Sequence, residues 1–217
     1  MKLIKIPNAK VIAYELPKNN YYQQKVKKTQ IVLHHTAGNP HNPQSTIDWW
    51  KMRLEGQGTV ATAFVIGYDG TIVQAFEKEY WAYHIGAKQC TIPGGSIGKI
   101  GIEQQSIGIE IASWGALSES KMKTLNKDEV VFYENGYRGN YYYHKYSPYQ
   151  IAALCELVHT LANVHHIPLK YSYNQIFGIN EDALNGQPGM YSHVSFRADK
   201  SDIHPQTELI EGVFKNL

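Results

Sequence analysis

The stretch 192–205 reads SHVSFRADKSDIHP and places His193, Asp199, Lys200, Asp202 and His204 within twelve positions. Imidazole nitrogen and carboxylate oxygen are donors that zinc takes in catalytic sites, which hold three protein ligands and leave one position open. A second source of imidazole stands at 31–38, IVLHHTAG, where an aliphatic run ends in His34 and His35. Successive side chains of a strand point to opposite faces, so a strand here can send only one of the two toward a given metal. Glu110 offers a different kind of carboxylate. It lies in SIGIEIA, 106–112, on a face shared with Gly108 and opposite Ile107, Ile109 and Ile111, where a buried acid is expensive unless partnered. Each segment alone also has a plainer reading: a solvated strand end for the histidine pair, a polar loop for 192–205.

The elements that would position these residues are visible in the pattern. Residues 11–15 read as a short edge strand and 30–34 as a buried strand ending at His34. Ser45-Thr46-Ile47-Asp48 resembles a capping box opening a helix, with Ile47, Trp50 and Leu54 on one face and Gly56 and Gly58 ending it. Two β-rich runs flank Asp69-Gly70, a dipeptide suited to a tight hairpin turn. Strand 106–112 follows, then 113–146 without clear periodicity. Ser147-Pro148-Tyr149-Gln150 is a capping box with proline at the first helical position. Beyond it Ile151, Leu154, Cys155, Val158, Leu161 and Ala162 form an apolar stripe. Pro205 can start a last helix with Leu209, Ile210, Val213 and Phe214 facing inward. The expectation is an α/β fold, a mixed central sheet covered by helices, in one domain over 1–217.

Composition narrows the function classes. The net charge of +2, with no long basic block, gives no nucleic-acid arm, and Lys25-Val26-Lys27-Lys28 reads as a solvated lead-in to a strand. Two cysteines far apart, Cys90 and Cys155, do not make a disulfide framework. No stretch approaches transmembrane length, and Lys5 and Pro7 interrupt what would be the apolar core of a secretory signal.

Taken in order, the segments resemble a known family. His34 at a strand end, the Asp69-Gly70 hairpin, AYHIG at 82–86, SIGIE at 106–110, the helix from Ser147, and His193 with Lys200-Ser201-Asp202 follow the pattern of the zinc-dependent N-acetylmuramoyl-L-alanine amidases. These form the type-2 amidase and peptidoglycan-recognition-protein family, which includes many phage endolysins. The resemblance covers roughly 28–215 by the single-domain expectation. Carried over residue by residue, it implies Zn²⁺ held by His34, His193 and Asp202, Glu110 as general base, and Lys200 facing the oxyanion. His84 and Thr62 fall at substrate-facing positions, and His35 at a variable one. Family members without the glutamate rely on a tyrosine where this chain has Thr62 in VATAFVI, so the burden falls on Glu110. Two departures stand out. Asp202-Ile203-His204-Pro205 leaves His204 as an alternative third ligand, although the Lys-x-Asp spacing favours Asp202. The insertion 113–146, with the start of the next helix, holds Tyr133, Tyr137, Tyr141, Tyr142, Tyr143, Tyr146 and Tyr149, suited to stacking on sugars or to packing the loop with its own side chains.

The resemblance implies hydrolysis of the bond between N-acetylmuramic acid and L-alanine in peptidoglycan by a monomer that inserts in no membrane. It implies synthesis in the cytoplasm and action on the wall after release by a holin-type route, with 1–27 as an N-terminal extension. Two alternatives remain at this point: a non-catalytic peptidoglycan-binding protein on the same fold, and an amidase acting on soluble muropeptides.

Overall fold

The computed structural model describes residues 1–53, 59–86 and 99–216. Leu54, Gly56, Gly58 and Cys90, singled out above, lie outside them. In chain order the elements are β1 (Val11–Ala13), β2 (Gln30–His35), α1 (Gln44–Lys51), β3 (Phe64–Ile66), β4 (Ile72–Gln74), α2 (Lys99–Gln105), β5 (Ser106–Ile111) and α3 (Glu119–Met122). They continue with β6 (Val130–Tyr137), β7 (Asn140–His144), α4 (Pro148–His165), α5 (Tyr173–Phe177), α6 (Glu181–Leu184), β8 (Gly189–Ser192), α7 (His193–Phe196) and α8 (Thr207–Gly212).

Six strands form one sheet in the order β1-β4-β3-β5-β2-β8, while β6 and β7 pair separately. Every neighbouring pair in the large sheet is parallel except β3–β4, the hairpin around Asp69-Gly70. Gly70 has φ of 81°, a left-handed conformation that glycine adopts without steric cost. The expected mixed sheet covered by helices is the observed architecture.

Alternation along β2 and β5 splits the core into two sides. Ile31, Leu33, Ile107, Ile109 and Ile111 share a buried cluster with Leu154, Leu157, Val158 and Leu161 of α4. Val32, on the other face of β2, joins Ile85, Ile102, Tyr191 and Phe196. Parallel pairing of β2 with β5 sets His34 opposite Glu110. The same alternation turns His34 to the Val32 side and His35 to the Leu33 side.

Three local readings are corrected. Helix α1 begins at Gln44 after Pro43, and the side chain that accepts a first-turn N–H is that of Asn42, from Ser45 at 3.3 Å. Asp48, expected to close a capping box, instead accepts the Tyr14 hydroxyl at 2.8 Å and the Lys51 ammonium at 3.0 Å. Lys28 is not solvated: it is 1% exposed. Its Nζ donates to the carbonyls of Gln104 at 2.6 Å and Ser106 at 3.0 Å, tying the α2–β5 junction to the base of β2. Burial pushes this lysine down to about 7. Within 113–146 the chain forms the β6–β7 hairpin rather than a loop.

Candidate metal centre

His34 is the penultimate residue of β2, His193 opens α7 directly after β8, and Asp202 lies in the irregular stretch between α7 and α8. Because β2 and β8 are adjacent parallel strands, their C-terminal ends carry the two histidines to one edge of the sheet. The three donor atoms form a small triangle. His34 Nδ1 is 3.1 Å from His193 Nδ1 and 3.2 Å from Asp202 Oδ2, and His193 Nδ1 is 2.9 Å from the same carboxylate oxygen. Among the described residues these are the three that form a group able to hold a metal ion.

The tautomers follow from the outer hydrogen bonds. Ser106 Oγ donates to the Glu103 carbonyl at 3.1 Å, so at 2.8 Å it accepts from His84 Nε2. That leaves His84 Nδ1 to accept from His34 Nε2 at 2.9 Å. His193 Nε2 donates to the Ile85 carbonyl at 2.8 Å. Both ligand histidines thus spend their N–H outward and turn a bare Nδ1 lone pair toward Asp202. Three acceptors facing one another within 3.2 Å call for a cation between them. Tetrahedral zinc with bonds of about 2.0–2.2 Å separates its ligand atoms by about 3.3–3.6 Å, so a small outward spread of the triangle accommodates it. The donor set and the outward N–H bonds fit zinc.

The electrostatics agree with a site built for positive charge. Burial, with the His193 ring beside it, pushes His34 down to about 4. Burial alone would push the Asp202 carboxyl up, yet positive charge on His193 or His34 holds it far below the usual carboxylate range.

Glu110 borders the same cleft, a cavity of about 510 Å³ also lined by His84, Thr62, Lys200, Arg197 and Trp49. Its Oε2 is buried and has no hydrogen-bond partner among the described residues. Burial, then the Asp202 charge, raise its pKa well above the ordinary value, while Lys200 opposes the rise. Gly108, two residues before Glu110 on β5, lies beneath the Thr62 and His84 side chains that line the cleft. A Cβ there would stand 2.6 Å from Thr62 Cγ2 and 3.1 Å from His84 Nδ1, so only a hydrogen lets both side chains close on β5.

The remaining sequence candidates take distinct places. Thr62 lines the cleft but donates its hydroxyl to the Phe64 carbonyl at 3.0 Å. His84 has both ring nitrogens engaged, one on His34 and one on Ser106. His35 meets the Tyr146 hydroxyl at 2.9 Å. His204 is fully buried between the rings of Tyr143 and Tyr146, with centroids 4.7 and 4.4 Å away. Its Nε2 donates to the His144 carbonyl at 3.1 Å and its Nδ1 accepts from the Tyr133 hydroxyl at 2.8 Å, so no ring nitrogen faces the triangle.

Glu103 was invisible in the sequence, a single carboxylate among glutamines. Its oxygens accept the backbone N–H of His84 at 2.8 Å, Ile85 at 3.0 Å and Gly86 at 2.7 Å. It thereby fixes both the ring that orients His34 and the carbonyl that orients His193.

Comparison with known proteins completes the description. The chain is similar to solved structures of the endolysin N-acetylmuramoyl-L-alanine amidase LysCS from Clostridium intestinale URNW, at 17% identity over 95% of each chain with a TM-score of 0.50. It is similar to PlyL at 14% identity over 95% of this chain and 93% of that one, TM-score 0.51. It is also similar to a selenomethionine derivative of AmpD at 15% identity over 100% and 98%, TM-score 0.54. At these identities the likeness establishes the fold. No curated protein sequence matches the chain. The family model for N-acetylmuramoyl-L-alanine amidase matches residues 23–205, most of the chain and all the residues of the triangle, and the chain belongs to that family.

Proposed function

We propose that the protein is a zinc-dependent N-acetylmuramoyl-L-alanine amidase that cuts peptidoglycan between the lactyl group of N-acetylmuramic acid and the first alanine of the stem peptide. The observation that carries this reading is the convergence of three unprotonated donors, His34 Nδ1, His193 Nδ1 and Asp202 Oδ2, beside an unpartnered Glu110 oxygen. A zinc ion held by the three supplies Lewis acidity toward the scissile carbonyl and acidifies a water.

The chain's own residues perform the remaining steps. Glu110 Oε2 has no competing hydrogen bond, so it is free to accept the proton of the attacking water and return it to the departing amine. Glu110, whose carboxyl pKa burial raises, would act as the base once a bound dication offset that rise. Lys200 lines the same cleft, and its ammonium is suited to balance negative charge gathering on the carbonyl oxygen. His84 contributes by holding His34, and Thr62 by closing the cleft floor. The carboxylate-and-lysine arrangement makes the cleft catalytic in kind, which favours an enzyme over a binding protein of the same fold. The endolysin among the similar structures supports action on the wall polymer. No described helix is long and apolar enough to cross a membrane. Release to the wall by a holin-type route belongs to the same endolysin-like reading.

The test is to incubate the purified protein with sacculi and, in parallel, with a soluble muropeptide, and to identify the products by mass spectrometry. Intact stem peptides that vanish with EDTA and return with zinc are expected. Glycan cleavage, or no product from zinc-loaded protein, overturns the reading. Faster turnover of the soluble arm moves the substrate from polymer to fragment. Glu110→Gln should bind zinc like the wild type and lose about 10²–10⁴-fold in turnover.

A further inference from the structure

Asp202 and Lys200 lie in a segment that regular structure does not hold. Between α7, ending at Phe196, and α8, starting at Thr207, the chain is neither helix nor strand. A ligand carried on such a segment is only as well placed as the contacts around it.

The β6–β7 hairpin supplies several of those contacts, and Tyr146 just beyond it adds its ring and hydroxyl against His204. The Tyr133 hydroxyl donates to His204 Nδ1 at 2.8 Å, and the Tyr137 hydroxyl donates to the Ile203 carbonyl at 3.0 Å. Arg138, at the turn, donates to the Ala198 carbonyl at 3.3 Å. Tyr143 stacks on the His204 ring, and the His144 carbonyl takes its other nitrogen at 3.1 Å. The segment is therefore gripped at 198, 203 and 204, on both sides of Lys200 and Asp202. The grip has a firm base, since the Tyr143 hydroxyl bonds the Tyr137 carbonyl across the hairpin at 2.9 Å and the His144 N–H bonds the Gly115 carbonyl at 2.9 Å.

We propose that this tyrosine-rich hairpin is a clamp that presets Asp202 for the metal, with Tyr133 and Tyr137 as positioning residues. The proposal rests on the reading of His34, His193 and Asp202 as a zinc centre. It assigns the tyrosines facing 198–204 to holding a ligand rather than to stacking on sugars.

The test uses the full chain with Tyr133→Phe and Tyr137→Phe combined, which removes two hydroxyls and keeps both rings in place. In the metal-free protein, amides of 198–206 should exchange hydrogen several-fold faster than in the wild type, while those of β2 and β5 exchange as before. Zinc affinity, measured by competition with a chelator, should fall about tenfold, the lower end of what loss of an outer partner of a ligand costs. Val158→Ala, a cavity in the α4 core far from the hairpin, serves as a control that lowers thermal stability and should leave zinc affinity at the wild-type value. Unchanged exchange in 198–206 overturns the clamp whatever the metal result, and so does an affinity loss no greater than that of Val158→Ala. A wild type that takes no zinc while its exchange responds to the double substitution overturns the metal reading and leaves the hairpin's grip established.

Discussion

Glu103 never touches the three candidate ligand atoms, yet both histidines proposed as ligands depend on the backbone it gathers. Its two oxygens take the N–H groups of residues 84, 85 and 86. This sets the His84 ring against His34 and the Ile85 carbonyl against His193. Replacing it by glutamine keeps the shape but turns an NH₂ group toward at least one N–H, leaving a buried donor without an acceptor. Glu103→Gln should therefore weaken zinc binding by about 10–100-fold, read by chelator competition, while turnover at saturating zinc stays close to wild type because Glu110 and Lys200 are untouched. Wild-type zinc affinity in that variant would show that the backbone of 84–86 holds its place without the carboxylate. The contrast with Glu110→Gln is diagnostic, since that substitution should affect turnover and spare affinity. His34, His193 and Asp202 could be singled out because clustered donor types marked their stretches and the family resemblance chose among them. Glu103 could not, because its work is done on backbone groups that leave no trace in side-chain identity.

Helix α4 shows what element-scale signals convey. Ser147 Oγ accepts the Gln150 N–H at 3.0 Å, and Gln150 Oε1 accepts the Ser147 N–H at 3.0 Å. The Gln150 amide also donates to the carbonyls of Ile66 at 3.1 Å and Ala112 at 2.8 Å, pinning the helix start to the ends of β3 and β5. Ser147→Ala should cost about 1–2 kcal/mol, a Tm lower by a few degrees in thermal unfolding, with zinc affinity unchanged because the cap lies away from the triangle. That helix, strands β2 and β5 and the Asp69-Gly70 hairpin were legible because each carries a local rule: a cap, an aliphatic run, a turn dipeptide. The order of the six strands was not, because parallel pairing joins segments remote in sequence, such as Ile31 with Met190. The β6–β7 hairpin escaped for another reason. Tyr133 and Tyr137 pack inward, while Phe132 and Tyr141 are 57% and 55% exposed, so aromatic residues occupy both faces and the alternation that marks a strand disappears.

Across the whole molecule, protons report how much of the polar core is buried in neutral form. His144 is fully buried, its Nδ1 lying 3.2 Å from Ser113 Oγ. Burial pushes it down to about 4 against the opposing charge of Glu129, with His41, His35 and Lys121 adding to the fall. In the unfolded chain it returns to about 6.5. Between these values the unfolded state binds the proton first, so this contribution is complete above pH 6.5 and drains away as pH falls toward 4. Lys28, lowered to about 7, acts in the same sense on the alkaline side. Its unfolded form holds a proton up to about 10.4, so stability rises as pH climbs from 7 toward that value. The metal-free protein should therefore gain stability from pH 4 upward in two limbs. Urea unfolding across this range should show wild-type stability at pH 5 lower than at pH 7, with about 2 kcal/mol of the difference due to His144. His144→Asn, which keeps a polar atom near Ser113, should remove that share of the acid limb, and Lys28→Met should flatten the alkaline limb alone. If His144→Asn loses as much stability as the wild type between pH 7 and 5, the histidine is not held neutral by the fold, and the acid limb belongs to the other buried histidines, His34, His35, His84, His165 and His204.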